Sequence, residues 1–302
     1  MKRTSAFAAL LVGAALVVGA CGSTASPSPS AATGTVCDQA KAANEPATTL
    51  LGSVCKAGKI RISTDPNYPP FSSLNATTNE YEGFDTDVAK LVAEKLGVTI
   101  SWETPSWDAL TAGNWGGRWD VSVGSMAQTV ERAKVIDFTD PYYFALSFVA
   151  VPATSTATSL ADLAGKSACV GSGTIYESWL KGEFVNQTAV AVSAQPPTGI
   201  TVTSQETDNL CIEALAAGRS WDFFVQGKEF IQNAIDKGAK IKFLDNKWIT
   251  AEQISIALDK AGLPTASMLA ALNKIVADAH ADGTLTAISK KWLNGVDVTV
   301  KQ

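Results

Sequence analysis

The chain has 302 residues, with 24 Lys and Arg against 29 Asp and Glu, a net charge of −5, one histidine and five cysteines. That acidic balance, with no basic run anywhere, argues against a nucleic-acid surface. The lone His280 excludes a His-based catalytic triad and a multi-histidine metal site, and the length is enough for two lobes with cores of their own.

Lys2 and Arg3 precede an apolar run over residues 6–20, the n-region and h-region of a secretory signal. The run is short for a bilayer span, which needs roughly 20 residues. Val18-Gly19-Ala20-Cys21 resembles a bacterial lipobox, in which the cysteine becomes a lipid-bearing N-terminus. The expectation is a signal peptide over residues 1–20, lipidation at Cys21 and placement on the extracytoplasmic face of the cell membrane. Residues 21–36 are small, polar and Pro-punctuated, with nothing to bury, and read as a disordered tether, followed by an N-terminal extension over 37–58. Cys37, Cys55, Cys169 and Cys211 remain, an even number in an exported chain and none in C-x-x-C spacing. They read as two disulfides, with reduced buried thiols as the alternative.

From Lys59 the signals alternate between strand and helix. Lys59-Ile60-Arg61-Ile62-Ser63 has period two. Asp85-Thr86-Asp87 reads as a helix cap, with Val88, Leu91, Val92 and Leu96 at helical spacing until Gly97. Val98-Thr99-Ile100-Ser101-Trp102 and Val121-Ser122-Val123 are further strands. A second series follows Pro152: "KSACVGSG" as strand, "TDNLCIEALAAG" as capped helix and "WDFFVQ" as strand. "SMLAALNKIVADAHADG" and "TLTAISKKWL" close the chain as helices. Strand–helix–strand order predicts parallel α/β sheets with crossover helices, in two lobes. His280 falls in the first closing helix and reads as a surface residue.

"ISTDPNYPPF", "YEGFDTDVAKLVAEKLG", "GSMAQTVERAKVIDFTDPYY" and "LNKIVADAHADGTLTAISKKW" resemble, in the family's order, the polar-amino-acid solute-binding proteins of ABC transporters, family 3, in their actinobacterial lipoprotein form. The resemblance implies a two-lobed α/β fold of the type II periplasmic-binding-protein kind. Lobe one would span residues 59–148 and 255–302 and lobe two residues 152–248, with hinge segments at 149–151 and 249–254. It implies a monomer without a cofactor, capturing a small carboxylate such as an amino acid or a derivative and handing it to a membrane permease. It also implies the pair Cys169–Cys211, found in some actinobacterial members, with Cys37–Cys55 as the second pair, clipping the end of the tether to the first strand. The alternative on the same fold is a cyclohexadienyl dehydratase, which needs an acid in the cleft to protonate a leaving hydroxyl. No buried carboxylate announces itself in lobe two, and the expectation is a non-enzyme.

By the same resemblance, Arg132 grips the ligand carboxylate with its planar fork. Tyr68 and Trp107 sandwich the ligand's side chain, Asp65 meets its polar or cationic groups, and Gly124, Ser125 and Met126 offer backbone and hydroxyl contacts. "GSGTIYES" follows a strand; it lacks the third glycine of a dinucleotide loop, and Thr174 with the free N–H groups of a helix N-terminus is expected to hold the carboxylate. The chain departs from the family where the α-ammonium would bind. The hydroxyl position is Ala127 and the lobe-two aspartate position is Gly227. The expectation is therefore a carboxylate without a free α-ammonium, unless Glu229 or Asp65 substitutes, because an unpaired buried ammonium is strongly disfavoured.

Overall fold

The computed structural model describes residues 34–184 and 186–301. The readings of a signal at residues 1–20 and of lipidation at Cys21, and the tether up to residue 33, lie outside the described residues. Val36, the last residue assigned to the tether, already belongs to a helix. Thr35 caps α1 (Val36–Ala42), its side chain and that of Asp38 each taking the other's backbone N–H. A disulfide joins Cys37 to Cys55 of α2 (Leu50–Ala57), so the clip links two helices and not the tether to the first strand.

Lobe one is built on β1 (Lys59–Ser63), β5 (Thr99–Glu103) and β6 (Val121–Ala127), parallel in the order β5-β1-β6. A small antiparallel sheet, β2 (Asn67–Tyr68), β3 (Ser72–Asn75) and β4 (Glu80–Glu82), leads into α3 (Phe84–Leu96). The sequence places the cap of α3 at Asp85–Asp87, but the N-cap is Gly83, at φ 130°, where a Cβ would stand 2.3 Å from the Phe71 carbonyl oxygen. Asp85 is thus inside the first turn and fully buried. The helix ends as expected at Gly97, left-handed at φ 79°. The remaining elements of this half are α4 (Trp107–Thr111) and β7 (Ile136–Phe138).

The chain crosses between halves on two long strands. The first, β8 (Tyr143–Pro152), leads to β9 (Ser167–Gly171), α5 (Ile175–Leu180), β10 (Val190–Val192), β11 (Thr201–Gln205), α6 (Asp208–Ala216), β12 (Phe223–Gly227), α7 (Lys228–Asp236) and β13 (Ile241–Phe243). The second, β14 (Thr250–Asp259), returns to lobe one, which α8 (Ala266–Ala281) and α9 (Thr284–Trp292) complete. In lobe two, β11-β9-β12 are parallel and β8 and β13 close the edge antiparallel. Cys169 of β9 is bonded to Cys211 of α6.

The two-lobed α/β fold is present as expected, and the crossings are strands paired with each other, Leu146 opposite Ala251 and Tyr143 opposite Ile254. Strand β8 exchanges β14 for β12 between Leu146 and Ser147, ahead of the expected hinge at 149–151, whose residues are already paired inside the lobe-two sheet. The reason is physical: a continuous ladder keeps every backbone group hydrogen-bonded while the chain passes between lobes. Among the described residues, no helix is long and apolar enough to cross a membrane, and no group of three or more His, Cys, Asp or Glu is placed to hold a metal.

Candidate ligand-binding cleft

A cavity of about 250 Å³ lies between the two halves. Among the described residues its one lining cation is Arg132, in the 3-10 turn after β6, where its N–H donates to Thr129 Oγ1 at 3.1 Å. The residue is only 8% exposed. Nη1 donates to the Ala127 carbonyl at 3.0 Å and Nη2 to the Gly173 carbonyl of lobe two at 3.1 Å. The guanidinium lies over the Trp107 ring, 5.2 Å from its centroid, and Trp107 Nε1 donates to the same Gly173 oxygen at 3.1 Å. Burial brings the pKa of Arg132 down to about 10, so it stays cationic at neutral pH. No carboxylate comes within salt-bridge distance of it among the described residues.

Four acids line the same cavity: Asp65, Glu206, Asp208 and Glu252. Glu252, on β14, is 4% exposed. Thr250 Oγ1 donates to its Oε1 and Tyr176 OH to its Oε2, the latter at 3.3 Å. Asp208 opens α6, with Oδ1 accepting from the Gly171 N–H at 2.8 Å. Burial pushes each of these two carboxyls up to about 7, the Asp65 charge adding to the effect on Asp208 and the Arg132 charge opposing it on Glu252. Asp65 is raised too, by burial and then by Glu206, while its Oδ1 accepts from the Asn67 N–H at 2.7 Å.

Of the residues named from sequence, Asp65, Tyr68, Trp107, Gly124, Ser125, Ala127, Arg132 and Thr174 line the cavity. Tyr68 is stacked between Phe71 and Phe230 at 5.3 and 5.2 Å and donates from its OH to Gln226 Oε1 at 3.2 Å. The Ser125 hydroxyl is already engaged, donating to Asp85 Oδ2 at 2.7 Å and accepting from Tyr143 OH at 2.8 Å. Tyr142 OH donates to the other Asp85 oxygen at 2.7 Å, and burial pushes Asp85 up to about 7.

Several expectations are corrected. Met126 does not line the cavity: its side chain packs in a cluster with Leu110, Trp115 and Trp119, since neighbours along a strand face opposite ways, so it has only backbone to offer, as expected of it. Gly227 is the buried N-cap of α7 and does not line the cavity; its neighbour Gln226 does. At α5, the Thr174 hydroxyl caps the Glu177 N–H and donates to the Gly171 carbonyl, and the Gly173 N–H donates to Glu177 Oε2 at 2.8 Å, so these particular groups are satisfied internally, while Thr174 itself lines the cavity. Glu229 sits in a separate hollow with Trp292 and does not face the cleft, so it cannot replace a missing ammonium partner. His280 is half-buried, its Nε2 2.9 Å from the Pro141 carbonyl oxygen, rather than a free surface residue.

Sequence reasoning missed Asp208, Glu252, Gln226 and Tyr176, and the statement that lobe two offers no buried carboxylate fails at Asp208. One signal was available. In "TAEQISIALD" the period of two sets Glu252 on the same face as Thr250 and Ile254, a charge on the buried side of a strand. Asp208 carried no such mark, since an Asp opening a helix is read first as a cap.

Comparison with known proteins places these features in context. A model of the bacterial extracellular solute-binding proteins, family 3, matches residues 60–295. The L-cystine-binding protein TcyJ of Escherichia coli (strain K12) is 29% identical over 83% of this chain and 88% of its own length. ABC transporter arginine-binding protein 1 of the same organism is 28% identical over 78% of this chain and 91% of its own. The crystal structure of the ancestral amino acid-binding protein AncCDT-1, a precursor of cyclohexadienyl dehydratase, superposes with a TM-score of 0.68 at 25% identity, covering 80% of this chain and 99% of that one.

Proposed function

Since this chain belongs to the bacterial extracellular solute-binding proteins of family 3, we propose that it captures an amino acid or a close derivative in its cleft and delivers it to an ABC permease. The observation that carries this reading is Arg132: a buried, charged guanidinium that lines the interlobe cavity and has no carboxylate partner among the described residues. A ligand carboxylate supplies that partner, in the planar bidentate geometry that suits arginine. The relatives named for cystine and arginine binding support an amino-acid ligand for this chain too.

Closure follows from the same geometry. Arg132 and Trp107 of lobe one both donate to Gly173 of lobe two, and Tyr68 reaches Gln226 across the cleft. A ligand that touches both halves stabilises the closed form by its differential affinity for that form, and a permease need only read closed from open. We further propose that Cys21 carries the lipid that keeps the protein at the extracytoplasmic face of the membrane, that it acts as a monomer, and that it is not an enzyme. The test is a thermal-shift screen of L-amino acids and L-cystine, since a ligand of the folded state raises its stability by RT ln(1 + [L]/Kd). A screen without a single hit, confirmed by calorimetry, would overturn the reading.

One observation favours a second reading, dehydration of a cyclohexadienyl acid. The buried acids Asp208 and Glu252, both raised to about 7, are suited to protonating a leaving hydroxyl. Incubation with prephenate or arogenate separates the two, because only the enzyme yields an aromatic product.

A further inference from the structure

Two buried opposite charges face one cavity without pairing with each other. Arg132 spends its Nη donors on main-chain carbonyls, and Glu252 receives hydrogen bonds only from Thr250 and Tyr176. Each still feels the other's charge. A buried ion without a counter-ion is strongly disfavoured, so a cavity that keeps both signs apart is complete only when something carrying both signs enters it.

We propose that Glu252 is the counter-charge for the ligand's α-ammonium, so that Arg132 and Glu252 together read the two ends of a zwitterion. This rests on the amino-acid-binding reading and reverses the expectation of a ligand without an ammonium. In an α-amino acid the nitrogen stands roughly 3 Å from the carboxylate oxygens by covalent geometry alone, so a carboxylate gripped by Arg132 puts the ammonium within reach of a nearby acid. The positions that would otherwise hold it are filled by Ala127 and Gly227, neither of which has a polar side chain. Glu252 is well held for the task. Thr250, which donates to its carboxyl, is bonded in turn to Ser147 of the other crossing strand, its N–H donating to Ser147 Oγ at 3.0 Å. Both crossing strands therefore fix the acid.

The groups that face Glu252 are Thr250 of its own strand, Tyr176 of α5, Arg132 of lobe one and, further off, Tyr68. Of these only Arg132 is charged at neutral pH. With the carboxyl near half-protonated at pH 7, pairing with an ammonium expels about half a proton per site.

The test uses matched pairs: L-arginine with 5-guanidinopentanoate, L-histidine with imidazolepropionate, and L-glutamine with glutaramate, titrated into the protein and its Glu252→Gln variant. The expected result is that the protein prefers an amino acid to its des-amino partner and that Glu252→Gln cuts this preference at least tenfold. Calorimetry of the unaltered protein in phosphate and in Tris at pH 7, which needs no variant to fold, should show proton release with the amino acid and none with its partner. If Glu252→Gln weakens both members of a pair equally, or the proton counts are equal, the assignment of Glu252 fails while the binding-protein reading stands. If neither these amino acids nor any other in the screen binds, both fail together.

Discussion

Raising the pH from 5 to 8 should destabilise the ligand-free protein, against the usual trend for carboxylates. Asp85, Asp208 and Glu252 are each pushed to about 7 by burial, from ordinary values of 3.8, 3.8 and 4.5. Between pH 4 and 7 the folded chain holds protons on these groups that the unfolded chain has lost, so the stability they lend is present at low pH and disappears as pH rises through 7. At about 1.4 kcal/mol per pKa unit, the two units between pH 5 and 7 make each group account for roughly 3 kcal/mol. The sum over this range, about 8 kcal/mol, is a ceiling comparable to the whole stability of a typical domain. Even a third of it, about 3 kcal/mol, is easily measured. The carboxylates held low by hydrogen bonds and cations, such as Asp87, Asp222 and Asp297, act in a different window. Their contribution is lost only as pH falls below 4, so they do not mask the effect. Urea denaturation followed by circular dichroism at pH 5, 6, 7 and 8, without ligand, should show free energies falling by about 3 kcal/mol or more. Asp85→Asn, which cannot titrate, should flatten the curve by its own share. Stability that is constant or rising from pH 5 to 8 would refute the assignment of these acids as buried and unpaired.

Other outcomes follow from the same structure. Arg132→Lys should weaken amino-acid binding about 100-fold in calorimetry, because lysine cannot reproduce the planar fork, and unchanged affinity would remove Arg132 from the site. Replacing Cys169 and Cys211 by alanine opens a bridge spanning 42 residues, and the chain-entropy relation puts the loss at about 4 kcal/mol in urea. The pair Cys37 and Cys55, 18 residues apart, should be worth about 3 kcal/mol on the same scale. Cys21→Ser should shift the protein from the membrane fraction to the soluble one with ligand affinity intact; a variant still resistant to salt extraction would show that the cysteine is not the anchor.

The architecture was legible because its signals are local. Period two at Lys59–Ser63, helical spacing from Val88 to Leu96 and the stop at Gly97 depend on neighbours in sequence, and the structure repeats them almost residue for residue. The errors arise where distant backbone decides. Gly83 rather than Asp85 starts α3 because the Phe71 carbonyl passes too close for any side chain there. That displacement turns an apparent cap residue into a buried acid holding Ser125 and Tyr142.

The cleft divides along the same line. The half of it around Arg132 was readable, since Arg132 follows Gly124, Ser125 and Ala127 within one short run of the sequence. Its other half was not, since Glu252, Asp208 and Tyr176 come from three segments that meet only after both lobes have folded. The placement of Glu252 ties its charge to motion. It stands on a strand that crosses between lobes, and its partner Thr250 is bonded to the other crossing strand. Opening the cleft must alter the surroundings of this carboxyl, because Tyr176, which donates to it, belongs to lobe two, while Arg132, which acts on it electrostatically, belongs to lobe one. A cation bound at Glu252 is therefore paired with an acid whose environment exists only when the two halves are together. Ligand charge and lobe closure become one equilibrium, which is what a permease that distinguishes loaded from empty protein requires.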